Sequence, residues 1–213
     1  GLLEAFTYRN LHPFRLGARI ADIAVPESPP KDHLYTIYVA PWTGGIFKTT
    51  NNGTTFEAIF DNVSRRLTVG ALAIAHSDPR IVWAGTGDAF TSRSSYAGDG
   101  VYVSVDGGET WTHKGLVDTH HIARIRIHPG NPDIVYVAAM GHLYSTNEER
   151  GVFKTTDGGD GWEKVLYINE NVGVIDLGMD PEDPETLYAA TYEKTRRPYQ
   201  MVNGGPESGI YKT

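Results

Sequence analysis

The sequence predicts an all-β fold, a β-propeller of four-stranded antiparallel blades. Three observations predict it. One order of short apolar runs and turns recurs four times along 213 residues. Within those runs apolar residues alternate in steps of two and are rich in β-branched and aromatic types, the pattern of strands rather than helices. Gly and Pro, numbering 24 and 12, punctuate the chain often enough for many short connections. Self-similarity at a period of roughly fifty residues, with four strands per period, is how propeller blades look in sequence.

Each period opens on an alternating run: RIADIAV (Arg19–Val25), VGALAIA (Val69–Ala75), IARIRIH (Ile122–His128) and VGVIDLGM (Val172–Met179). A turn rich in Pro and Asp follows: PESPPKDH, HSDPR, PGNPD or DPEDPE. The second run is LYTIYVA, IVWAGT, IVYVAAM or TLYAAT. After a loop of variable length comes the third strand, GIFKT (Gly45–Thr49), GVYVS (Gly100–Ser104), GVFKT (Gly151–Thr155) or GIYKT (Gly209–Thr213). A tight turn and a last strand such as FEAIF or WEKVLY complete the unit. No helix is expected. The blades fall at about 15–62, 67–117, 121–168 and 172–213, the last holding two strands and the start of a third. Residues 1–14, including FTYRNLHPF (Phe6–Phe14), offer an outer closing strand, so the chain reads as one propeller domain or the amino-terminal part of one.

The tight turns invite a catalytic reading, because SVDGGETW (Ser104–Trp111) packs a hydroxyl, two acids and a Trp into eight residues. Its frame recurs, however. TTNNGTTF sets Thr49, Asn51, Gly53 and Phe56 in it; SVDGGETW sets Ser104, Asp106, Gly108 and Trp111; TTDGGDGW sets Thr155, Asp157, Gly159 and Trp162. In such a turn a carboxylate accepts backbone N–H bonds, Gly supplies positive φ, and the aromatic covers a joint between strands. A device present in every blade is structural. Asn51 in the first copy and Gly161 in the third depart from the frame, which predicts looser turns there.

Composition excludes several classes. The net charge of −7 and the absence of a basic tract argue against nucleic-acid binding. With no Cys there are no disulfides and no thiolate metal ligands. No apolar run is long enough to span a membrane, and GLLEAFTYRN lacks the layout of a signal peptide.

The repeated turns resemble the Asp-box, or BNR repeat, of sialidases, sortilin-type receptors, xyloglucanases and photosystem II assembly propellers. From Tyr8 to Thr213 the chain is most similar to bacterial proteins with a sortilin-like (VPS10-type) amino-terminal domain, often labelled "glycosyl hydrolase, BNR repeat". GDGVYVSVDGGETW, HHIARIRIHPGNPDIVYVAAMGHLYSTNEERGVFKTTDGG and GVIDLGMDPEDPETLYAATY carry that resemblance. It implies a propeller and leaves activity open. Sialidases also need an arginine triad and a Tyr/Glu pair, of which PFRLG (Pro13–Gly17) is a faint echo. Xyloglucanases typically place a catalytic Asp before a GG pair, where this chain reads APWTGGIF, with Trp42 and Thr43 ahead of Gly44.

In an up-and-down blade the tight turns and the Pro/Asp turns share one face. The other face gathers the loops between second and third strands with the blade-to-blade links. Those loops lengthen as GTGDAFTSRSSYAGDG, AAMGHLYSTNEERG and ATYEKTRRPYQMVNGGPESG, and insertions confined to one face usually mark the binding face. With the links DNVSRR and VDTHHIAR, that face collects Arg93, Tyr96, His120, His121, His142, Arg150, Tyr192, Arg196 and Arg197 as ligand-binding candidates, beside Glu149, Lys194 and Tyr199. Phe90 and Tyr144 add aromatic surface. Asp88, Asp99, Glu148 and Glu193 are the candidates for acid chemistry, which in a glycosidase needs two carboxylates about 5–10 Å apart. Adjacent His120 and His121 are expected on opposite sides of a strand, so neither a metal nor a cofactor is expected. NEER (Asn147–Arg150) reads as a solvated loop with ion pairs, and EKTRRPY as a charged loop on a neighbouring blade.

The leading expectation is a non-catalytic propeller, secreted, periplasmic or on the cell surface, that binds a protein or glycan. The alternatives are a glycoside hydrolase of xyloglucanase or sialidase type, and an assembly subunit whose open strand edges are covered by self-association or by further blades.

Overall fold

The computed structural model describes residues 19–90 and 95–213. The Phe6–Phe14 strand, the Pro13–Gly17 motif and Arg93 therefore lie outside the described residues. The rest forms four antiparallel sheets. The first runs β1 (Ile20–Ala24), β2 (Ile37–Pro41), β3 (Phe47–Thr49), β4 (Glu57–Ala58), and the second β5 (Val69–Ile74), β6 (Val82–Thr86), β7 (Val101–Ser104), β8 (Thr112–His113). The third runs β9 (Ile122–Ile127), β10 (Val135–Ala139), β11 (Gly151–Thr155), β12 (Glu163–Leu166). Chain order equals spatial order in these three, the meander of a propeller blade. Among the described residues the helical content is two short 3₁₀ turns, Lys31–His33 and Val117–Thr119, and no helix is long and apolar enough to cross a membrane.

The fourth sheet departs from the pattern. Its β13 (Val172–Met179) and β14 (Leu187–Arg197) pair as in the other blades, and β16 (Gly209–Lys212) takes the third place against Tyr188–Thr191. Its fourth member, β15 (Gln200–Asn203), is not an outer strand. It folds back on the far half of β14, pairing with Lys194–Arg197. The expected third long loop is thus largely a hairpin projecting from the long-loop end of the blade.

Each innermost strand carries a bulge near its start. The register slips at Ala21 in β1, Gly70 in β5, Ala123 in β9 and Ile175 in β13. A bulge adds a residue to one strand and re-aims the next side chain. The next residues are Asp22, Ala71, Arg124 and Asp176. The three charged ones meet: Arg124 Nε lies 2.8 Å from Asp176 Oδ1, and its Nη1 is 3.7 Å from Asp22 Oδ2. Their meeting was not foreseen, because strand alternation alone does not say that three blades share one axis.

The cores lie between blades. Tyr38, Ile46, Phe60, Val69 and Val82 fill the first junction, Trp83, Ile122, Ile125, Val135 and Phe153 the second, and Tyr136, Val152, Val174 and Leu187 the third. Burying each such side chain is worth about 1.5–3 kcal/mol, so the junctions outweigh any single turn bond. A small cluster of Ala89, Ala123 and Met140, with Ile175 and Tyr192 against it, closes the axis on the long-loop side.

Candidate functional site

The repeated turns can be set aside first, because the recurring hydroxyl, the acid or amide oxygen and the glycine N–H in each are bonded to one another. Thr49, Ser104 and Thr155 each give a hydroxyl proton to the acidic or amide oxygen two residues on, at 2.9, 2.7 and 2.7 Å. Each hydroxyl oxygen accepts the N–H of Gly53, Gly108 or Gly159 at 2.8, 2.7 and 2.9 Å. The oxygen at Asn51, Asp106 or Asp157 accepts the N–H of Thr55, Thr110 or Gly161, at 2.9 Å in all three.

The two departures do not open the turns as expected. Asn51 donates through Nδ2 to Thr55 Oγ1 at 2.8 Å, where Asp106 instead accepts from the Thr110 hydroxyl. Gly161 forgoes only that side-chain bond. Burial opposes ionisation of Asp106, but bonds from the Thr110 side chain and backbone and from Ser104 hold its carboxyl down at about 2.

The turn aromatics reach further than a joint between strands. Trp111 Nε1 donates to Ile59 O at 3.0 Å and Trp162 Nε1 to Lys114 O at 2.7 Å, each across to the preceding blade. Backbone bonds from Asn52 to Tyr35, Gly107 to Arg80 and Gly158 to Asp133 tie each turn to the Pro/Asp turn of its own blade. The two turn types therefore share a face, and the unequal loops occupy the other.

On the long-loop face two of the four candidate acids, Asp88 and Asp99, have carboxylates committed to the fold, while Glu193 and Glu148 are held through their backbones. Asp88 is 1% exposed and accepts from Phe90 N at 3.0 Å and Ser95 Oγ at 2.8 Å. Asp99 Oδ2 accepts the hydroxyls of Ser64 and Tyr102, and Asp99 N donates to Thr86 Oγ1, whose own proton goes to Gly100 O at 2.7 Å. That ties the first blade-to-blade link to the second blade. The Glu193 backbone N–H and C=O bond Ser208 Oγ and Gly204 N, fixing the base of the β14–β15 hairpin. Glu148 is exposed, and its carbonyl accepts from Lys164 Nζ at 2.5 Å, while Glu149 pairs with the same ammonium at 3.7 Å.

Two of the basic candidates are buried rather than presented. Arg150, expected in a solvated loop, is fully buried; its guanidinium donates to the carbonyls of Asn171, His142 and Ser145. It holds the Gly141–Asn147 loop from beneath, and burial lowers its pKa to about 10. His121 is 2% exposed, with Nδ1 lacking a partner. Burial, then the nearby His120, His142 and Arg150 charges, lower its pKa to about 3, so it is neutral at ordinary pH.

His120 goes the other way. It precedes β9 rather than lying in it, and takes φ 55° and ψ −41°, a conformation few non-Gly residues adopt. That backbone sends its ring outward, where it stacks on His142 with centroids 3.7 Å apart and planes 17° from parallel. Asp118 joins them, its Oδ1 lying 2.9 Å from His142 Nε2 and 3.7 Å from His120 Nε2. Burial lowers the His120 pKa, as does the charge of His142, while Asp118 pulls it up. Asn147 latches the group: its Oδ1 accepts from His142 N at 2.8 Å, and its Nδ2 donates to Asp118 O at 3.0 Å. The expectation that His120 and His121 point to opposite sides of a strand is corrected: both precede β9, and their rings meet edge to face with centroids 6.3 Å apart, although only His121 is buried. Asp118, Ser145 and Asn147 were missed. Asp118 stands two residues before His120, but nothing in one sequence brings His142 alongside.

The β14–β15 hairpin leans on the third blade, with Arg196 N donating to Leu143 O at 2.9 Å. Lys194 is mostly buried beneath it, its ammonium 5.6 Å from the Tyr192 ring; burial lowers its pKa, Arg196 adds to that, and Asp88 opposes it. Arg197 and Tyr199 stay exposed near the tip. Among the described residues, aromatic side chains standing in solvent on this face include Phe90 at 63% exposure, Tyr96 at 56%, Tyr144 at 59% and Tyr199 at 80%. Tyr96 lines a cavity of about 600 Å³ with Arg65, Arg66, Leu67 and Thr43, where Arg66 is spent on the carbonyls of Ala97 and Gly98.

No protein-family model matches the chain, and no curated protein matches it in sequence. Solved structures do match in shape. An ancestral GH74 enzyme superposes over 92% of this chain and 25% of its own, with TM-score 0.64 and 18% identity. The GH74 xyloglucanase of Xanthomonas campestris matches over 91% and 29%, with TM-score 0.59 and 17% identity. YCF48 bound to D1 peptide matches over 88% and 54%, with TM-score 0.54 and 13% identity. The chain spans about a quarter of the GH74 enzymes and about half of YCF48. At these identities the likeness is one of fold, and the fold is a β-propeller.

Proposed function

We propose that this chain is part of a non-catalytic Asp-box propeller, working outside the cytoplasm, that binds a protein or glycan through its long-loop face. One observation carries the reading. The exposed aromatics Phe90, Tyr96, Tyr144 and Tyr199 lie on unrepeated loops of that face, while Asp88 and Asp99 are used up by the fold. Aromatic faces exposed on a rigid scaffold suit both sugar rings and peptide side chains. The neighbours in fold include one named a xyloglucanase and one named with a bound peptide. One name refers to a glycan-acting enzyme and the other to a peptide complex, the two ligand classes proposed for this chain.

Glycan and peptide arrays probed with the purified chain, and with a Tyr96→Ser/Tyr199→Ser variant, test this. Saturable binding to one ligand class, weakened at least about tenfold by the variant, is expected. Binding unchanged by the variant, or weakened only by variants of the turn face, would refute it.

A second reading, that of an assembly component, draws on the end blades. Ile23 and Val25 on the first, and Ile210 and Tyr211 on the last, are apolar side chains left open to solvent. Such surfaces and strand edges favour contact with further blades or another chain. Light scattering across a concentration series distinguishes this reading, since self-association raises the mass and Ile210→Lys lowers it again.

A further inference from the structure

We propose that Asp118, His120 and His142 form a binding site for one divalent transition metal of the zinc class, holding the second-to-third blade link to the loop after β10. The inference is independent of which polymer the face binds.

Three features support it. The donor set is right: two imidazoles and one carboxylate suit zinc-class ions and are a poor match to Mg²⁺ or Ca²⁺, which take oxygen ligands. The spacing is right as well. Zinc–ligand bonds of about 2.0–2.1 Å in a tetrahedron put ligand atoms about 3.3 Å apart. The contacts of Asp118 Oδ1 with His142 Nε2 and His120 Nε2, 2.9 and 3.7 Å, straddle that edge, and all three ligand atoms lie within 4.8 Å of one another.

The surroundings are also built. Ser145 Oγ lies 2.9 Å from His142 Nδ1 and can accept its proton, which leaves Nε2 free to ligate; ring-nitrogen partners of this kind orient metal-bound histidines. Asn147 ties both loops together, and buried Arg150 fixes the carbonyls of His142 and Ser145. The unusual backbone at His120 is held in place by Gly98 N, which donates to His120 O at 2.6 Å, and by Gly87, where any Cβ would sit 1.9 Å from that oxygen. A conformation this costly, maintained by its neighbours, is the sort found where a side chain must be aimed.

Metal binding requires two small changes. The proton between His142 Nε2 and Asp118 leaves, and the His120 ring turns from its parallel stack so that its lone pair converges on the same point. Asp118 is exposed, so the remaining coordination position faces solvent or a ligand group.

The test is titration of the chain with Zn²⁺ by calorimetry and with Co²⁺ by visible absorption. Wild type, Asp118→Asn and His142→Asn are compared with His128→Asn, a histidine paired with Glu185 away from the cluster. The expected result is one Zn²⁺ per chain, the intense visible bands of low-coordinate Co²⁺, and a rise in denaturation midpoint with Zn²⁺. Asp118→Asn and His142→Asn should each weaken binding at least about tenfold, with His128→Asn unchanged. If His142→Asn fails to fold, the exposed Asp118→Asn decides. No saturable Zn²⁺ binding by wild type, equal binding of Mg²⁺, or Zn²⁺ affinity unchanged by Asp118→Asn would overturn the proposal.

Discussion

The two faces of this molecule solve opposite problems. On the turn face one polar device is repeated three times, and each copy closes on itself with the same three bonds. On the long-loop face no two blades agree. There the second-to-third blade link and the β10–β11 loop place three metal-type ligands together, while the β14–β15 hairpin rests on that same loop. The difference teaches where to look for function. Residues that recur per blade are architecture, and residues that occur once must be followed individually to see whether the fold has consumed them. Arg150, His121, Asp88 and Asp99 have been consumed; the exposed aromatics have not, and Asp118 and His142 are paired with each other.

The comparison can be broken by substitution. Arg150→Ala should show the largest effect, about 3–5 kcal/mol in chemical denaturation, because three carbonyls lose their donor in a buried site. A loss under about 1 kcal/mol would mean the residue is not the loop's support. Gly151→Ala follows at about 3 kcal/mol: with φ 114°, its Cβ would stand 1.9 Å from Leu166 O of the outer strand. Gly209 heads the equivalent strand of the fourth blade, and no described atom lies within 4 Å of a Cβ there, so Gly209→Ala in this chain should stay within about 0.5 kcal/mol. Equal effects from the two would contradict the difference in their surroundings.

A third test uses pH. His121 titrates near 3 when folded and near 6.5 when unfolded, so between those values the unfolded state binds more protons. Stability should therefore be full above pH 6.5 and fall as the pH drops toward 3. His121→Gln should flatten that slope, and an unchanged slope would place the titration elsewhere. Smallest of all, Asn51→Asp should lie within about 0.5 kcal/mol of wild type, since the Thr55 hydroxyl need only reverse its bond. A gain well above 1 kcal/mol would restore the idea of a loose first turn.

Blade order and turn geometry were legible because both are periodic, and a period survives in one sequence without any partner. The axial meeting of Asp22, Arg124 and Asp176 was not, since each strand shows its bulge only in register with its neighbour. Arg150 was misplaced because burial of a cation depends on carbonyls contributed by loops up to 21 residues away. The Asp118–His142 contact joins residues 24 apart across a link and a loop, beyond the reach of spacing rules. The β14–β15 hairpin lacked the alternation that identifies a strand, because its residues are mostly polar on both sides.

The central claim is that this face binds and does not cleave. It is tested most directly by measuring reducing-end release when the purified chain is incubated with each glycan it retains on an array. The account predicts retention without release. Release that Asp88→Asn or Glu148→Gln abolishes, with the denaturation midpoint unchanged, would contradict it and make the face a hydrolase site.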